Sequence, residues 1–89
     1  GGTGISPTDV TPEATMPLIE KLLPGVSEAL RAHSREKVPT ADLSRGVAGV
    51  TKNSFILNLP GSPGGVRDGL IIIERLASHI HEQLAGKDH

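Results

Sequence analysis

The stretch from Phe55 to Leu84 does most to limit the folds open to this chain. It begins with FILNL, a nearly continuous apolar run typical of a strand covered on both faces. The glycine-rich loop PGSPGG follows at 60–65, and a long helical pattern follows the loop. The apolar positions of that pattern recur three or four apart, at Val66, Leu70, Ile73, Ala77, Ile80 and Leu84. Strand, glycine loop and helix in this order predict an α/β layer, with a helix over 65–84.

Three further elements are expected before that stretch. They are a helix with Thr11 as its N-cap that ends at Pro24-Gly25, a helix over 26–34, and a strand over 46–50 that pairs with 54–59 as a hairpin. Pro17 either kinks the first helix or delays its start to about Met16. Residues 35–45 are interpreted mainly as a connection. Two strands and three helices make a poor independent fold, so we expect further strands upstream of residue 1.

Composition excludes several classes of function. The 89 residues contain no cysteine, which rules out disulfides and cysteine-based metal sites. Nine Lys and Arg balance ten Asp and Glu, so general affinity for nucleic acid is not expected. The longest apolar run, Leu70–Ile73, is far too short to span a membrane. These observations predict a cytoplasmic protein without nucleic-acid or membrane partners.

Two glycine-rich loops could hold phosphate, GGTG at 1–4 and PGSPGG at 60–65. Tight glycine turns bring backbone N–H groups close to an anion, and the second loop also precedes a helix N-terminus. The alternative is that each loop serves only to turn the chain. Neither matches the P-loop or the dinucleotide fingerprint. Arg67 beside the second loop could meet phosphate, or instead pair with Asp68 or Glu74.

Asp9 is a more specific candidate for a functional residue than either loop. A carboxylate a few residues beyond a phosphate loop can hold Mg²⁺, which in turn bridges phosphate oxygens. The alternative is that Asp9 caps a turn or the following helix.

Several strings resemble one family in order and spacing. They are GGTG at 1–4, DVTPEAT at 9–15, PG at 24–25, LSR at 43–45, AG at 48–49 and NLPGSP at 58–63. The chain is similar to the C-terminal half of the molybdopterin-binding domain found in bacterial molybdopterin adenylyltransferases, MoaB-type proteins and the G domains of gephyrin and its plant counterpart. The resemblance implies a three-layer α/β/α sandwich around a mixed, mostly parallel sheet, of which residues 1–89 supply only the second half.

The resemblance also implies an activity. It implies Mg²⁺-dependent transfer of AMP from ATP to the terminal phosphate of molybdopterin, with release of pyrophosphate, usually in a homotrimer. Asp9 would be the catalytic and metal-binding acid. The substrate contacts would come from nine residues: Gly2, Thr3, Gly4, Ser34, Ser44, Asn58, Pro60, Gly61 and Ser62.

Two departures and two rival functions accompany this interpretation. Thr8 replaces the basic residue that usually precedes the motif acid, and Pro17 interrupts a helix that the family normally continues. The family's second acid lies upstream, so the chain is expected to be active only with its own N-terminal half. A non-catalytic molybdopterin-binding module is the main alternative. An unrelated nucleotide or sugar-phosphate binder would make the ordered strings a coincidence.

Overall fold

The computed structural model describes residues 1–87. In chain order its elements are α1 (Thr11–Thr15), a 3₁₀ turn (Met16–Leu18), β1 (Lys21–Leu22), α2 (Pro24–Arg35), a 3₁₀ turn (Pro39–Leu43), β2 (Ala48–Val50), β3 (Phe55–Leu57) and α3 (Pro63–Leu84). Residues 88 and 89, the end of the predicted domain, lie outside the described residues.

The hairpin predicted at residues 46–59 is confirmed, with shorter strands than the pattern suggested. β2 pairs antiparallel with β3, and Gly49 lies opposite Ile56. The two-residue β1 adds to the other edge of β2, also antiparallel, to give the order β1-β2-β3. Every strand pairing within residues 1–87 is thus antiparallel, and the parallel strands of the expected sheet are not among these residues.

A small core joins the two long helices to the sheet. Val26 and Leu30 of α2, Ala48 of β2 and Ile72 of α3 are its buried apolar side chains. Six partly buried residues pack around them: Leu23, Ala29, Phe55, Leu57, Leu59 and Leu76. The core is thin because aliphatic side chains and one phenylalanine build it.

The buried face of α3 differs from the predicted one. Gly65, Asp68, Gly69 and Ile72 face inward, whereas Leu70 of the predicted face is 56% exposed. A β-carbon on Gly69 would collide with Leu59, and one on Gly65 would lie 2.6 Å from Pro60 Cβ. α3 therefore packs closely against Leu59 and Pro60 through its glycines. Apolar periodicity does not predict such a contact.

The first helix also differs from its prediction. Val10 is the N-cap of α1 and Thr11 is already helical, so the prediction of a Thr11 cap is wrong. The α-helix ends at Thr15, and Pro17 lies in the 3₁₀ turn. Pro24 begins α2 instead of ending α1, since its fixed φ and missing N–H suit the first helical position.

Much apolar surface stays uncovered in residues 1–87. Several apolar side chains are each more than half exposed, among them Ile5, Leu18, Val38, Leu43 and Leu70. None of the helices described here has the length and apolar character needed to cross a membrane.

Candidate functional site

The two glycine-rich loops lie side by side. The N-terminal amino group of Gly1 donates a hydrogen bond to Leu59 O at 2.9 Å. Gly61 stands so close that a β-carbon there would be 3.4 Å from Gly1 Cα. Residues sixty positions apart in the sequence therefore form one continuous loop surface.

The first loop is folded back onto α1. Gly2 has φ +71°, a conformation that glycine adopts freely, and Thr11 occupies the space that a side chain at Gly2 would need. Thr11 Oγ1 donates to Gly1 O at 2.7 Å, and Thr11 N donates to Gly2 O at 3.0 Å. The threonine predicted to cap the helix thus fixes the glycine turn.

Asp9 closes a tight turn beyond this loop. Its Oδ2 accepts hydrogen bonds from Ser6 N at 3.1 Å and Ser6 Oγ at 3.0 Å, and Asp9 N donates to Ser6 O at 3.0 Å. No hydrogen bond reaches Oδ1 from any of residues 1–87. Asp9 therefore does cap a turn, as one alternative held, while one carboxylate oxygen stays available.

Arg45 holds the whole segment in place. Its Nε donates to Gly4 O and its NH2 to Asp9 O, each at 2.8 Å. NH1 donates to Glu13 Oε2 at 2.6 Å, and NH2 to Oε1 at 3.2 Å. The backbone N of Arg45 also donates to Thr3 O at 2.7 Å.

No role was predicted for Arg45 from the sequence. The only signal for one was its place in the LSR string as the cation of that motif. Its hydrogen bonds lower the pKa of the Glu13 carboxyl below the usual value, and Glu13 in turn raises the pKa of the arginine. Both groups are thus held in the charged form that the ion pair requires.

Three buried or half-buried polar side chains form the inner wall beneath the loops. Thr3 is 5% exposed, and Ser44 Oγ donates weakly to Thr3 Oγ1 at 3.5 Å. Asn58 Oδ1 accepts from Val47 N at 3.1 Å, and its Nδ2 donates to Thr15 Oγ1 at 3.0 Å. The amide of Asn58 is thus already engaged at both ends, and it ties the sheet to α1.

A cavity of about 20 Å³ opens behind this wall, with room for one water molecule. Four predicted contact residues line it: Ser34, Ser44, Asn58 and Pro60. Ser27 Oγ, also in the lining, is buried without a hydrogen-bond partner among the described residues. A wider groove of about 430 Å³ continues from Ser34 and Pro60 to Ser62, between α2 and the start of α3.

That groove contains a buried acid. Asp68 is 7% exposed, and its Oδ2 accepts from Ser34 Oγ at 2.8 Å. His33 Nε2 lies 3.5 Å and Lys37 Nζ 3.9 Å from Asp68 Oδ1. Arg67 lines the groove, but no ion pair joins it to Asp68 or Glu74 within residues 1–87. The ion-pair alternative for Arg67 is therefore not observed within these residues.

The predicted contact residues fall into two groups. Ser34, Ser44, Asn58, Pro60 and Ser62 line the two cavities, although Ser62 Oγ already accepts from Gly65 N at 3.1 Å as the cap of α3. Gly2, Thr3, Gly4 and Gly61 belong to the adjoining loops. Asp9 lines neither cavity and lies at the far end of the segment that Arg45 holds.

Comparison with known proteins identifies the family of this chain. A family profile described as a probable molybdopterin binding domain matches residues 1–79. This chain belongs to the molybdopterin-binding domain family.

Relatives of the domain agree with that assignment. Molybdopterin adenylyltransferase from Helicobacter pylori is 50% identical over 70 residues, which cover 79% of this chain and 40% of that protein. The solved molybdopterin biosynthesis Mog protein of Mycobacterium ulcerans is 53% identical with a TM-score of 0.93, over 98% of this chain and 57% of that one. The molybdopterin biosynthesis enzyme MoaB of Thermus thermophilus is 47% identical with a TM-score of 0.84, over 98% and 55%.

These likenesses confirm the α/β fold class and the family resemblance. The molybdopterin-binding domain described here spans 40% of that adenylyltransferase and a little over half of the solved structures. Two of these relatives are described as molybdopterin biosynthesis proteins. The individual contact residues remain predictions.

Residues 1–87 do not by themselves supply a full set of metal ligands. No group of three or more His, Asp or Glu within residues 1–87 could hold a metal ion. Mg²⁺ usually takes one or two carboxylates and completes its shell with water and substrate phosphate. One unpaired oxygen on Asp9 fits that mode of binding.

Proposed function

We propose that the protein, together with the remainder of its domain, transfers AMP from ATP to the terminal phosphate of molybdopterin. An oxygen of that phosphate attacks the α-phosphorus of ATP, a new P–O–P linkage forms, and pyrophosphate leaves. The observation that carries the proposal is the joint surface of the two glycine loops, with the Asp9 turn fixed at one end. Relatives named molybdopterin adenylyltransferase support it.

The residues present suit this chemistry. The nucleophile is already an anion, so catalysis depends on holding two phosphates in line and offsetting their charge. Backbone N–H groups of Gly2 and Gly4, with the hydroxyl of Thr3, would bind phosphate oxygens on one side. Gly61 and Ser62 would form the opposite wall, and Ser34, Ser44 and Asn58 would orient the pterin end.

Mg²⁺ fits this site through the free oxygen of Asp9. When bound, it would neutralise charge on the triphosphate. Asp9 would hold it with one carboxylate oxygen while Ser6 fixes the other oxygen. ATP is a cytoplasmic metabolite, so we place the reaction in the cytoplasm.

Binding without transfer is the second candidate function. The likenesses to the Mog protein and to the Thermus MoaB protein are both compatible with it. Asn58 and Ser34, both already engaged in internal hydrogen bonds, suit a preformed binding wall in either case.

We further propose that the chain works with its own N-terminal half and as a homotrimer. The exposed apolar residues support the first point, because Leu18 and Leu70 would be costly to leave in water in the finished protein. Light scattering of the protein with and without the upstream half tests both points. A well-folded monomer of residues 1–89 alone would contradict them.

An adenylyl-transfer assay tests the function. The protein with its upstream half is incubated with molybdopterin, ATP and Mg²⁺, with Asp9→Asn alongside. We expect adenylyl-molybdopterin from the unmodified protein, and loss of transfer but not of molybdopterin binding in the variant. Tight binding with no transfer in either protein would contradict the enzyme and favour the binding module.

A further inference from the structure

We infer that Arg45 is a positioning residue for the Asp9 turn, acting through the backbone and not through the substrate. The inference rests on the proposed function and deepens it. One guanidinium binds two carbonyl oxygens at 2.8 Å, that of Gly4 shortly before the turn and that of Asp9 at its end.

The planar fork of arginine suits this task. Nε and NH2 point in fixed directions, so two bonds to the turn set its width as well as its location. The backbone N of the same residue donates to Thr3 O at 2.7 Å, which fixes the phosphate loop to the same anchor. Arg45 therefore sets the separation between the loop and the Asp9 carboxylate.

Glu13 has a different part in this arrangement. Its carboxylate accepts hydrogen bonds from NH1 and NH2 of Arg45. Glu13 lies on α1, and its side chain is more than half exposed to solvent. An exposed ion pair contributes little by itself to stability. Its effect here is to fix the rotation of the guanidinium, while the bonds to Gly4 O and Asp9 O hold the turn.

Neighbouring side chains do not duplicate the role. Arg31 donates to Ser44 O and Gly46 O at 3.2 and 3.3 Å and holds the segment from which Arg45 projects. Arg35 pairs at the surface with Asp42 at 2.8 Å. Arg35 is thus a matched control, an arginine paired with a carboxylate away from the turn.

Hydrogen exchange of the Ser6 and Asp9 amides tests the inference independently of activity, because both amides are bonded inside the turn. Arg45→Lys, which keeps the charge and loses the fork, is compared with Arg35→Lys and Glu13→Gln in the protein with its upstream half. We expect faster exchange at these two amides in Arg45→Lys alone, while the amides within α2 and α3 keep their exchange rates.

The kinetic measurements use the same proteins together with Arg45→Ala. Displacement of a reacting group by about 1 Å costs on the order of 100-fold in rate, so kcat should fall by about that factor in Arg45→Lys while KM for molybdopterin moves little. Guanidinium ion at millimolar concentration should restore part of kcat in Arg45→Ala, and an equal concentration of sodium chloride should not.

Two results would overturn the inference, and a third would separate it from the proposed function. Unchanged exchange at Ser6 and Asp9 in Arg45→Lys would overturn it. Faster exchange throughout the chain, with a matching fall in melting temperature, would also overturn it and leave Arg45 a general support of the fold. Faster exchange confined to the turn, in a protein that transfers no AMP even when unmodified, would support the positioning role and remove the proposed function.

Discussion

The Asp9 carboxylate leaves no room for a side chain at Gly4: a β-carbon added to Gly4 would stand 2.8 Å from Asp9 Oδ2. A real side chain does not tolerate that separation, so the carboxylate keeps its position only because residue 4 is glycine. The same oxygen accepts both hydrogen bonds from Ser6. Gly4 thus determines where the acid of the candidate site lies.

Gly4→Ala is therefore expected to displace the Asp9 carboxylate. Transfer activity should fall by about 10- to 100-fold, as expected for a misplaced reacting group. Gly25→Ala is the matched control, since its β-carbon would meet nothing within 4 Å at the start of α2. The control should keep full activity and gain at most about 1 kcal/mol of stability. Equal activity of the two variants would contradict the role given to Gly4.

Ser34 and Asp68 are expected to be coupled energetically. A hydrogen bond to a charged group contributes about 1.5–3 kcal/mol, so Ser34→Ala should destabilise the protein by about that amount. In an Asp68→Ala background the same change should cost much less, because the partner is already gone. Urea unfolding of the four proteins measures the coupling. Additive effects would show that the 2.8 Å contact does not contribute to stability.

Stability should depend on pH through Glu13. Hydrogen bonds from Arg45 lower the pKa of Glu13 below its ordinary value of 4.5 in the folded protein. A lowered folded pKa contributes stability above the unfolded value, and that contribution is lost as pH falls through the folded pKa. The stability difference between the unmodified protein and Glu13→Gln should therefore shrink below about pH 4.5. A constant difference from pH 7 to pH 3 would rule out the linkage.

Gly69 is expected to tolerate no side chain while Leu59 is present. Gly69→Ala should cost about 1–3 kcal/mol, the usual cost of overpacking, because the new methyl group meets Leu59. In a Leu59→Ala background the added methyl group should cost nothing measurable. Thermal unfolding of the single and double variants checks this. A Gly69→Ala protein as stable as the unmodified one would show that α3 can shift outward freely.

The sequence by itself determined part of the secondary structure and the family of this protein. The hairpin over 46–59, the helix after PGSPGG and both glycine loops follow from turn chemistry and periodicity, which act within a few residues. The ordered strings from GGTG to NLPGSP identified the molybdopterin-binding domain because motif order survives in the primary sequence.

Only the tertiary structure decided which side chains meet. Leu59 and Pro60 select the glycine face of α3, where apolar spacing favoured Val66 and Leu70. Arg45 reaches Gly4 and Glu13 across 41 and 32 positions of sequence. Such contacts depend on how the elements pack, because a side chain's long-range partner is set by the approach of another element and not by its own neighbours along the chain.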